Sequence, residues 1–237
     1  MNVLVITDNV LQYENIKLII KTKDIKGCFF DFRHSPLNSP MEGYAELKAM
    51  DVNVQAEEII EKYELVLSVH CFQIFPEVLV RNVRCINIHP GFNPMNRGWY
   101  PQVFAIVNRL PIGATIHEMD ERLDHGPIIV RKLVNQELTD TSYSLYHKVV
   151  KAEMELFEEY FDAILNRAYV PFMPDGVSNI FFKKDFNELC EIKLNEAGCF
   201  LDFYNRLRAL THDPYVNAYF INPETQKKVY ISINIDI

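Results

Sequence analysis

The sequence predicts an α/β protein: a Rossmann-like, mostly parallel sheet, followed by a smaller C-terminal α+β domain that contains a β-hairpin. The chain opens with a short β-branched run at 3–7. Strand-like and helix-like segments then alternate, as they do in sheets whose parallel strands are joined by helical crossovers. The pattern changes after the P-F-M-P-D-G stretch at 171–176. We therefore predict a main domain over 1–175 and a second domain over 176–237.

The first half of the chain supplies four predicted strands with helices between them. The run at 3–7 is apolar and ends at Asp8-Asn9, which indicates a buried strand followed by a turn. The same reasoning places further strands at 27–32, 64–69 and 84–88, and helices at 15–23, 56–62 and 76–83.

The second half begins with a predicted helix at 102–109 and strands at 112–119 and 128–134. A long amphipathic helix is predicted at 142–166, because Leu145, Val149, Phe157 and Phe161 recur at helical spacing. The C-terminal domain then has a predicted strand at 180–182, a helix at 200–210, and a hairpin of 216–221 and 228–235 joined through 222–224.

Composition excludes several classes of function. The chain of 237 residues carries a net charge of -8, and nucleic-acid binding needs a basic face, so nucleic acid is not expected as the main partner. Five cysteines, odd in number and without a C-x-x-C pair, indicate reduced thiols. The N-terminus lacks the features of a signal peptide, and no apolar run is long enough to cross a membrane. We expect a cytoplasmic protein.

The first candidate site is N-I-H-P-G at 87–91, at the end of a predicted strand. Ligands usually lie at the carboxyl ends of parallel strands. Residues two apart in a strand point the same way, so Asn87 and His89 would face one cleft. An amide donor beside an imidazole suits the stabilisation of an oxyanion and the movement of a proton. The alternative is a buried pair that satisfies loop backbone groups.

The second candidate is H-E-M-D-E-R-L-D-H-G at 117–126. It is similar to the H-E-x-x-H zinc helix, but Glu121 stands where the second histidine should be, so no metal site is predicted. A zinc-dependent hydrolase built on His117 and His125 is the alternative. We expect Glu118 and Glu121 to be solvated. Gly126 allows a tight turn that could aim Asp124 inward, to orient His89 or to accept a proton.

Together the two segments resemble the formyltransferase family that uses N10-formyltetrahydrofolate. That family carries N-x-H-x-S-x-L-P and R-G, then G-x-T-x-H-x-M-x-x-x-x-D-x-G. This chain has N-I-H-P-G-F-N-P-M-N-R-G-W-Y-P and G-A-T-I-H-E-M-D-E-R-L-D-H-G. It differs from many members at Gly91 and Asn93, and its R-G-W-Y-P is similar to the branch that acts on nucleotide-linked amino sugars. The resemblance implies the formyltransferase fold.

The resemblance also implies a mechanism. A neutral sugar amine attacks the formyl carbon, Asn87 and His89 bond the developing oxyanion, and His89 takes the proton of the amine with support from Asp124. The co-substrate is N10-formyltetrahydrofolate, and no metal and no covalent enzyme intermediate are needed. Folate contacts are implied for Gln73, Ile74 and Phe75 and for 120–123, beginning with Asp120, largely through main-chain groups. From the residues alone, Ile74 and Phe75 would more often belong to the core.

A nucleotide-linked sugar implies further contacts. Trp99 and Tyr100 are expected to line the sugar site. A diphosphate needs cations and a base needs an aromatic face, and the C-terminal candidates are Lys183, Arg206, Arg208, Phe181, Phe182, Tyr204 and Tyr215. The alternative is that the two arginines lie on a solvated helix face and the aromatic residues form a small core.

Other acceptors within the family are disfavoured. The loop after the first strand, T-D-N-V-L-Q-Y, has no glycine of the kind that holds the phosphate of glycinamide ribonucleotide. Residues 176–237 carry seven Lys or Arg against eight Asp or Glu, a poor balance for binding initiator tRNA. We expect the acceptor to be dTDP-linked 4-amino-4,6-dideoxyglucose, with a 3-amino sugar nucleotide as the alternative, for a surface polysaccharide such as the O-antigen of lipopolysaccharide.

Two further expectations concern assembly and activity. The hairpin offers a surface for a homodimer, although a solvated hairpin fits the sequence equally well. A non-catalytic module that binds folate or a nucleotide sugar is the alternative from another functional class, and the intact Asn87, His89 and Asp124 argue against it.

Overall fold

The computed structural model describes residues 1–23, 25–36, 41, 43, 44 and 46–236. Within them the strands are β1 (Asn2–Thr7), β2 (Phe29–His34), β3 (Lys48–Ala49), β4 (Leu65–Val69), β5 (Arg84–His89), β6 (Arg97–Gly98), β7 (Ile112–Glu118), β8 (Ile128–Val134), β9 (Ile180–Phe181), β10 (Thr211–His212), β11 (Tyr215–Val216), β12 (Ala218–Ile221) and β13 (Lys228–Ile231). The helices are α1 (Val10–Lys23), α2 (Ala56–Lys62), α3 (Glu77–Asn82), α4 (Pro101–Asn108), α5 (Ser142–Asn166), α6 (Lys183–Cys190) and α7 (Phe200–Leu210).

The main sheet has the strand order β3-β2-β1-β4-β5-β7-β8. The pairs from β3 to β5 are parallel, whereas β7 is antiparallel to both of its neighbours. The sheet is therefore mostly parallel, and the predicted fold class is confirmed.

Helices cover both faces of this sheet, which explains why β4 is buried along its whole length and β1 at every residue after Asn2. On one face Val3 packs in a cluster with Phe157 of α5. On the other face Leu4 packs in a cluster with Ile59 of α2. All four side chains are fully buried, and the carboxyl ends of β1, β4 and β5 are left as the open edge.

The strongly periodic elements match their predictions. Helices 56–62, 142–166 and 200–210 are α2, α5 and α7. Helix α1 begins five positions before the predicted start at 15, because the Asn9 side chain accepts a hydrogen bond from the Gln12 backbone at 3.1 Å and caps the helix. The predicted strand at 27–32 is observed two residues later in the chain, as β2 (Phe29–His34).

Several short elements were not predicted: β3, β6, β10, β11 and α6. The four strands have two residues each, too few to show a periodic pattern. Helix α6 begins where the Asp185 carboxylate accepts a hydrogen bond from the Phe182 backbone at 2.7 Å.

The C-terminal segment shares a core with the main sheet's helices. Ala209 and Leu210 of α7 pack in one cluster with Val103 of α4 and Leu145 of α5. The predicted hairpin is confirmed as β12 and β13, with Ala218 opposite Ile231, although position 216 instead pairs with 211 in a separate small hairpin.

All five cysteines carry free thiols. Among the residues that the structure describes, no helix combines the length and the apolar character needed to cross a membrane.

Candidate active site

A cleft of about 650 Å³ opens at the carboxyl ends of β1, β4 and β5. Its walls come from the segments that follow these strands, from the start of α4 and α5, and from the C-terminal elements. The lining residues include Asp8, Asn9, His70, Phe72, Ile74, Asn87, His89, Trp99, Tyr100, Gln102, Leu123, Asp124, Ser142, Tyr146, Phe182, Phe186, His212, Tyr215 and Asn217.

The structure brings Asn87, His89 and Asp124 together in this cleft. The Asn87 amide Nδ2 donates to Asp124 Oδ1 at 2.9 Å. The imidazole Nδ1 of His89 lies 3.7 Å from Asp124 Oδ2. All three side chains are nearly buried, so their charges and dipoles act on one another with little screening by water.

The His89 ring has a defined orientation. Its Nε2 lies 2.8 Å from the backbone carbonyl of Asn96. A carbonyl only accepts hydrogen bonds, so Nε2 carries a proton, and the neutral ring keeps its lone pair on Nδ1. Nδ1 is therefore the atom that can take a proton, and the Asp124 carboxylate would stabilise the resulting imidazolium.

Asp124 is held in place from several sides. Its Oδ2 accepts from the Gly98 backbone at 2.9 Å, and its backbone carbonyl accepts from Asn93 Nδ2 at 2.9 Å. Its φ of 47° lies in the left-handed region, which is uncommon for a residue with a side chain. Two residues on, a Cβ added to Gly126 would stand 1.9 Å from the Glu118 carbonyl oxygen. The turn that aims the carboxylate inward therefore requires glycine at 126.

The two positions that differ from the family motif both serve the site. A Cβ at Gly91 would lie 2.4 Å from His89 Nε2 and 2.6 Å from the Asn96 carbonyl oxygen. The hydrogen bond between His89 and Asn96 thus occupies the space of a side chain at 91. Asn93 donates to the backbone of Asp124, as above, and its own N–H is bonded to Thr115 Oγ1 at 3.1 Å.

His117 is a site residue whose role the sequence did not reveal. It lies opposite Asn87 in the register of β5 and β7. Its Nδ1 donates to the Glu118 carbonyl at 2.8 Å, and its Nε2 lies 3.4 Å from Asn87 Nδ2. Burial lowers the pKa of His117 more than the nearby Asp124 raises it, so the neutral ring acts as an acceptor behind Asn87.

The ionisable side chains of the loop at 117–126 bond to one another and to backbone groups. Among the described residues, no group of three or more His, Cys, Asp or Glu side chains is arranged to hold a metal ion. Asp120 accepts from His125 Nδ1 at 2.6 Å. Burial raises the pKa of Asp120, but hydrogen bonds from His125 and the Arg122 backbone lower it by more than burial raises it. The pKa of Asp120 therefore lies below its usual range.

The residues expected near folate are divided between the cleft and the core. Gln73 and Ile74 line the cleft, and the Gln73 side chain fixes the loop by accepting from the Val52 backbone at 2.9 Å and donating to the Met50 carbonyl at 2.8 Å. The Phe75 side chain is buried in a core cluster. Within 120–123, Leu123 lines the cleft and Asp120 does not.

The aromatic residues expected near the sugar line the cleft. The Trp99 ring stacks on Phe72 with 5.6 Å between centroids, and Tyr100 stacks on Phe186 at 4.0 Å. Tyr215 and Phe182 also line the cleft. Lys183 places its ammonium 5.5 Å from the centre of the Trp99 ring.

The two arginines expected near the nucleotide do not line the cleft, and their guanidinium groups are bonded to protein oxygens. The Arg206 guanidinium is bonded to the Glu196 carboxylate at 2.8 Å and to the Leu189 and Glu191 carbonyls. Arg208 is buried and donates to the Asp140 carbonyl at 2.7 Å. Arg206 thus joins α7 to the end of α6, and Arg208 joins α7 to the segment before α5. Helix periodicity alone does not say which neighbours an arginine meets.

Two other expected contacts also lie away from the cleft. The Tyr204 hydroxyl donates to the Leu138 carbonyl at 2.7 Å, and the Phe181 ring stacks on Phe104 with 4.1 Å between centroids. Both side chains therefore serve packing between the C-terminal segment and the main domain.

Comparisons with known proteins show the family of the chain. The formyl transferase family profile matches residues 4–160, and the profile of the N-formyltransferase dimerization C-terminal domain matches 185–236. The dTDP-4-amino-4,6-dideoxyglucose formyltransferase of Mycobacterium tuberculosis is 42% identical over 239 residues, which cover 100% of this chain and 97% of that protein.

The chain is also similar to solved structures of N-formyltransferases. A sugar N-formyltransferase from Shewanella sp. is 38% identical with a TM-score of 0.95, and a 4-N formyltransferase from Francisella tularensis is 39% identical with a TM-score of 0.93. Each match covers 100% of this chain and 98% of the other. An N-formyltransferase from Helicobacter canadensis, solved with folinic acid and dTDP-3-aminofucose, shares the fold at 19% identity and a TM-score of 0.71, over 87% of this chain and 79% of that one.

Proposed function

Since the chain belongs to the formyl transferase family, we propose that it transfers a formyl group from N10-formyltetrahydrofolate to the amine of dTDP-linked 4-amino-4,6-dideoxyglucose. The observation that carries this proposal is the meeting of Asn87, His89 and Asp124 in one cleft, with His89 Nδ1 facing the carboxylate at 3.7 Å. An amine acceptor brings its own nucleophile, so the site needs a base and hydrogen-bond donors rather than a reactive serine or cysteine.

His89 acts as the general base. The Asn96 carbonyl holds the proton on Nε2, and Nδ1 takes the proton that the sugar amine loses. The imidazolium then lies beside the Asp124 carboxylate, which stabilises it through charge attraction in a nearly buried setting. The bond between the formyl carbon and N10 of the folate would break next, and the imidazolium would return its proton to N10 so that tetrahydrofolate leaves and His89 is neutral again. The Gly98 and Asn87 donors fix that carboxylate so that it does not rotate away.

Asn87 positions the formyl oxygen. One N–H of its amide is bonded to Asp124 at 2.9 Å, whereas the contact of Nδ2 with His117 is long at 3.4 Å. The second N–H makes only this long contact with His117, so a ligand oxygen that gains negative charge can replace His117 as its acceptor. A donor placed in this way is worth on the order of 100-fold or more in rate.

The folate fits the apolar end of the cleft and, when bound, supplies the formyl carbon that the amine attacks. Phe72 and Ile74 line this end and are 56% and 69% exposed. Such exposed apolar side chains beside a polar site are typical of a ligand-binding surface. Main-chain groups of 73–75 and 120–123 would hold the polar edge of the pterin, with Leu123 completing the wall.

The dTDP-linked 4-amino sugar is proposed as the acceptor because the similarity to the mycobacterial enzyme extends over the full chain. A 3-amino sugar nucleotide is the second candidate, and the cleft residues do not separate the two. Trp99, Tyr100 and Tyr215 are proposed to contact the sugar and its nucleotide, and Lys183 lies within reach of the same end.

The test is a formyl-transfer assay with a panel of amino-sugar nucleotides. We expect turnover with the dTDP-linked 4-amino sugar and N10-formyltetrahydrofolate, and slower turnover with 3-amino and UDP- or GDP-linked sugars. Binding of the folate and of every sugar nucleotide without turnover would instead support a non-catalytic module and contradict the proposal.

The organisation of the protein forms part of the proposal. We infer a catalytic domain over 1–175, a C-terminal domain over 176–237, and a homodimer formed through the latter; the match of 185–236 to a dimerization domain supports this. Action in the cytoplasm and use of the product in a surface polysaccharide stay predictions. Analytical ultracentrifugation checks the dimer.

A further inference from the structure

A row of polar rings leads away from the catalytic residues along one wall of the cleft. Strands β4 and β5 are parallel and pair Val69 with Ile88, so the next residues, His70 and His89, lie side by side. His70 Nε2 lies 2.8 Å from the carboxylate of Glu153, which is completely buried. This contact fixes the His70 ring although its backbone φ of 51° is in the left-handed region.

Tyr146 and His212 continue the row. The Tyr146 hydroxyl accepts from Asn9 Nδ2 at 2.7 Å and lies 3.4 Å from His70 Nδ1. Burial, and then the negative charge of Glu153, raises the pKa of Tyr146, so the phenol keeps its proton as a donor. The His212 ring lies 5.5 Å from the Tyr146 ring.

His212 is anchored to helix α5 by one ring nitrogen. Its Nδ1 lies 3.0 Å from Ser142 Oγ, which also lies 3.2 Å from Gln102 Nε2. Because Nδ1 is engaged in this way, Nε2 is the nitrogen left to meet a ligand. His212 and Tyr146 both line the cleft.

The cleft has to bind an anionic diphosphate without arginine. Among the described residues that line it, none is Lys or Arg. The guanidinium groups of Arg206 and Arg208 are already bonded to protein oxygens, and the Lys183 ammonium lies over the Trp99 ring. A sugar whose amine reaches His89 carries its diphosphate on the anomeric carbon, so the hexose ring separates the diphosphate from His89.

Resting on the proposed function, we propose that His212 and Tyr146 form the subsite for the diphosphate of the sugar nucleotide. The imidazole Nε2–H and the phenol O–H donate to phosphate oxygens, and the hexose lies between this subsite and His89. Asn9 acts as the positioning residue, because its amide donates to the Tyr146 oxygen at 2.7 Å and leaves the phenol O–H to the phosphate.

The test compares the binding of dTDP and thymidine to the full-length protein by isothermal titration calorimetry, since these ligands differ only in the diphosphate. We expect His212→Asn and Tyr146→Phe each to weaken dTDP binding about tenfold to a hundredfold, because each removes a hydrogen bond to a charged phosphate group. Thymidine affinity stays within twofold of the wild type. The matched control is His147→Asn, because His147 is exposed on the same helix and packs against the Tyr146 ring; dTDP affinity is unchanged in it.

Separate outcomes test the subsite and the proposed function. Thermal melts, with His212→Gln as a second variant, establish that the variants are folded. If the wild type formylates the amino-sugar nucleotide but the variants bind dTDP as tightly as the wild type, or lose dTDP and thymidine affinity equally, only the subsite is overturned. If the wild type neither formylates nor binds dTDP more tightly than thymidine, both the proposed function and the subsite are wrong.

Discussion

Replacement of Asp124 by Asn perturbs both the stability and the chemistry of the site. In the wild type Oδ1 accepts from Asn87 and Oδ2 accepts from the Gly98 backbone, each at 2.9 Å. One of the two oxygens becomes an amide NH₂ in Asp124→Asn, and an NH₂ cannot accept. Either orientation therefore leaves one donor without its acceptor. Loss of a hydrogen bond to a charged group lowers the free energy of unfolding by about 1.5–3 kcal/mol.

The same change removes the charge that stabilises the His89 imidazolium. The general base then works without its carboxylate, and kcat should fall by about 10²–10⁴, the usual contribution of general acid–base catalysis. Steady-state formyl transfer gives kcat and both KM values, and urea unfolding gives the stability. The matched control is Glu121→Gln, since Glu121 is an exposed carboxylate on the same loop; its activity stays within twofold of the wild type. A kcat for Asp124→Asn within threefold of the wild type would refute the reasoning.

Three further predictions use other contacts of the site. In Gly91→Ala the new Cβ would lie 2.4 Å from His89 Nε2 and displaces the ring, so steady-state kcat falls at least tenfold with little change in KM; an unchanged kcat contradicts this. Glu153→Gln weakens the buried contact with His70 and lowers the free energy of unfolding by about 1.5–3 kcal/mol, which urea unfolding measures. An unchanged free energy of unfolding shows that the contact does not stabilise the fold. Burial lowers the pKa of His117 below 6.5 in the folded protein. When the pH falls below 6.5, the unfolded chain binds a proton at this histidine that the folded chain does not bind, so the free energy of unfolding decreases. Urea unfolding at pH 7.5 and 5.5 should show that the free energy of unfolding decreases less in His117→Asn than in the wild type. Equal decreases would argue against a neutral, buried His117.

Much of the fold could be predicted because its main elements carry strong periodic patterns. Helix α5 shows an apolar face along its whole length, and β1 and β4 each contain a run of at least three consecutive apolar residues. The register of the sheet could not be predicted, since it depends on contacts between distant segments. The short strands β3 and β6 exist only because a neighbouring strand pairs with them, and no local pattern marks them.

The candidate site was predictable where residues form a compact motif. Asn87, His89 and Asp124 follow from two motifs, and the tight turn at Gly126 follows from its residue type. His117 could have been found from the alternation along β7 once its pairing with β5 was known.

Arg206 shows the limit of reasoning from residue type. A cation on a C-terminal helix suggested a phosphate contact, but its guanidinium is committed to Glu196 and to two carbonyls. In contrast, His70, Tyr146 and His212 come from three distant segments and form no motif. Their proximity is a consequence of the tertiary fold alone.

The central claim is that His89 removes the proton of a sugar amine as the formyl group is transferred. The most direct measurement is the rate of formamido-sugar production from dTDP-linked 4-amino-4,6-dideoxyglucose and N10-formyltetrahydrofolate, for the wild type and for folded His89→Asn. We predict steady turnover by the wild type and a rate lower by about 10²–10⁴ in the variant. Equal rates in the two proteins would contradict the account.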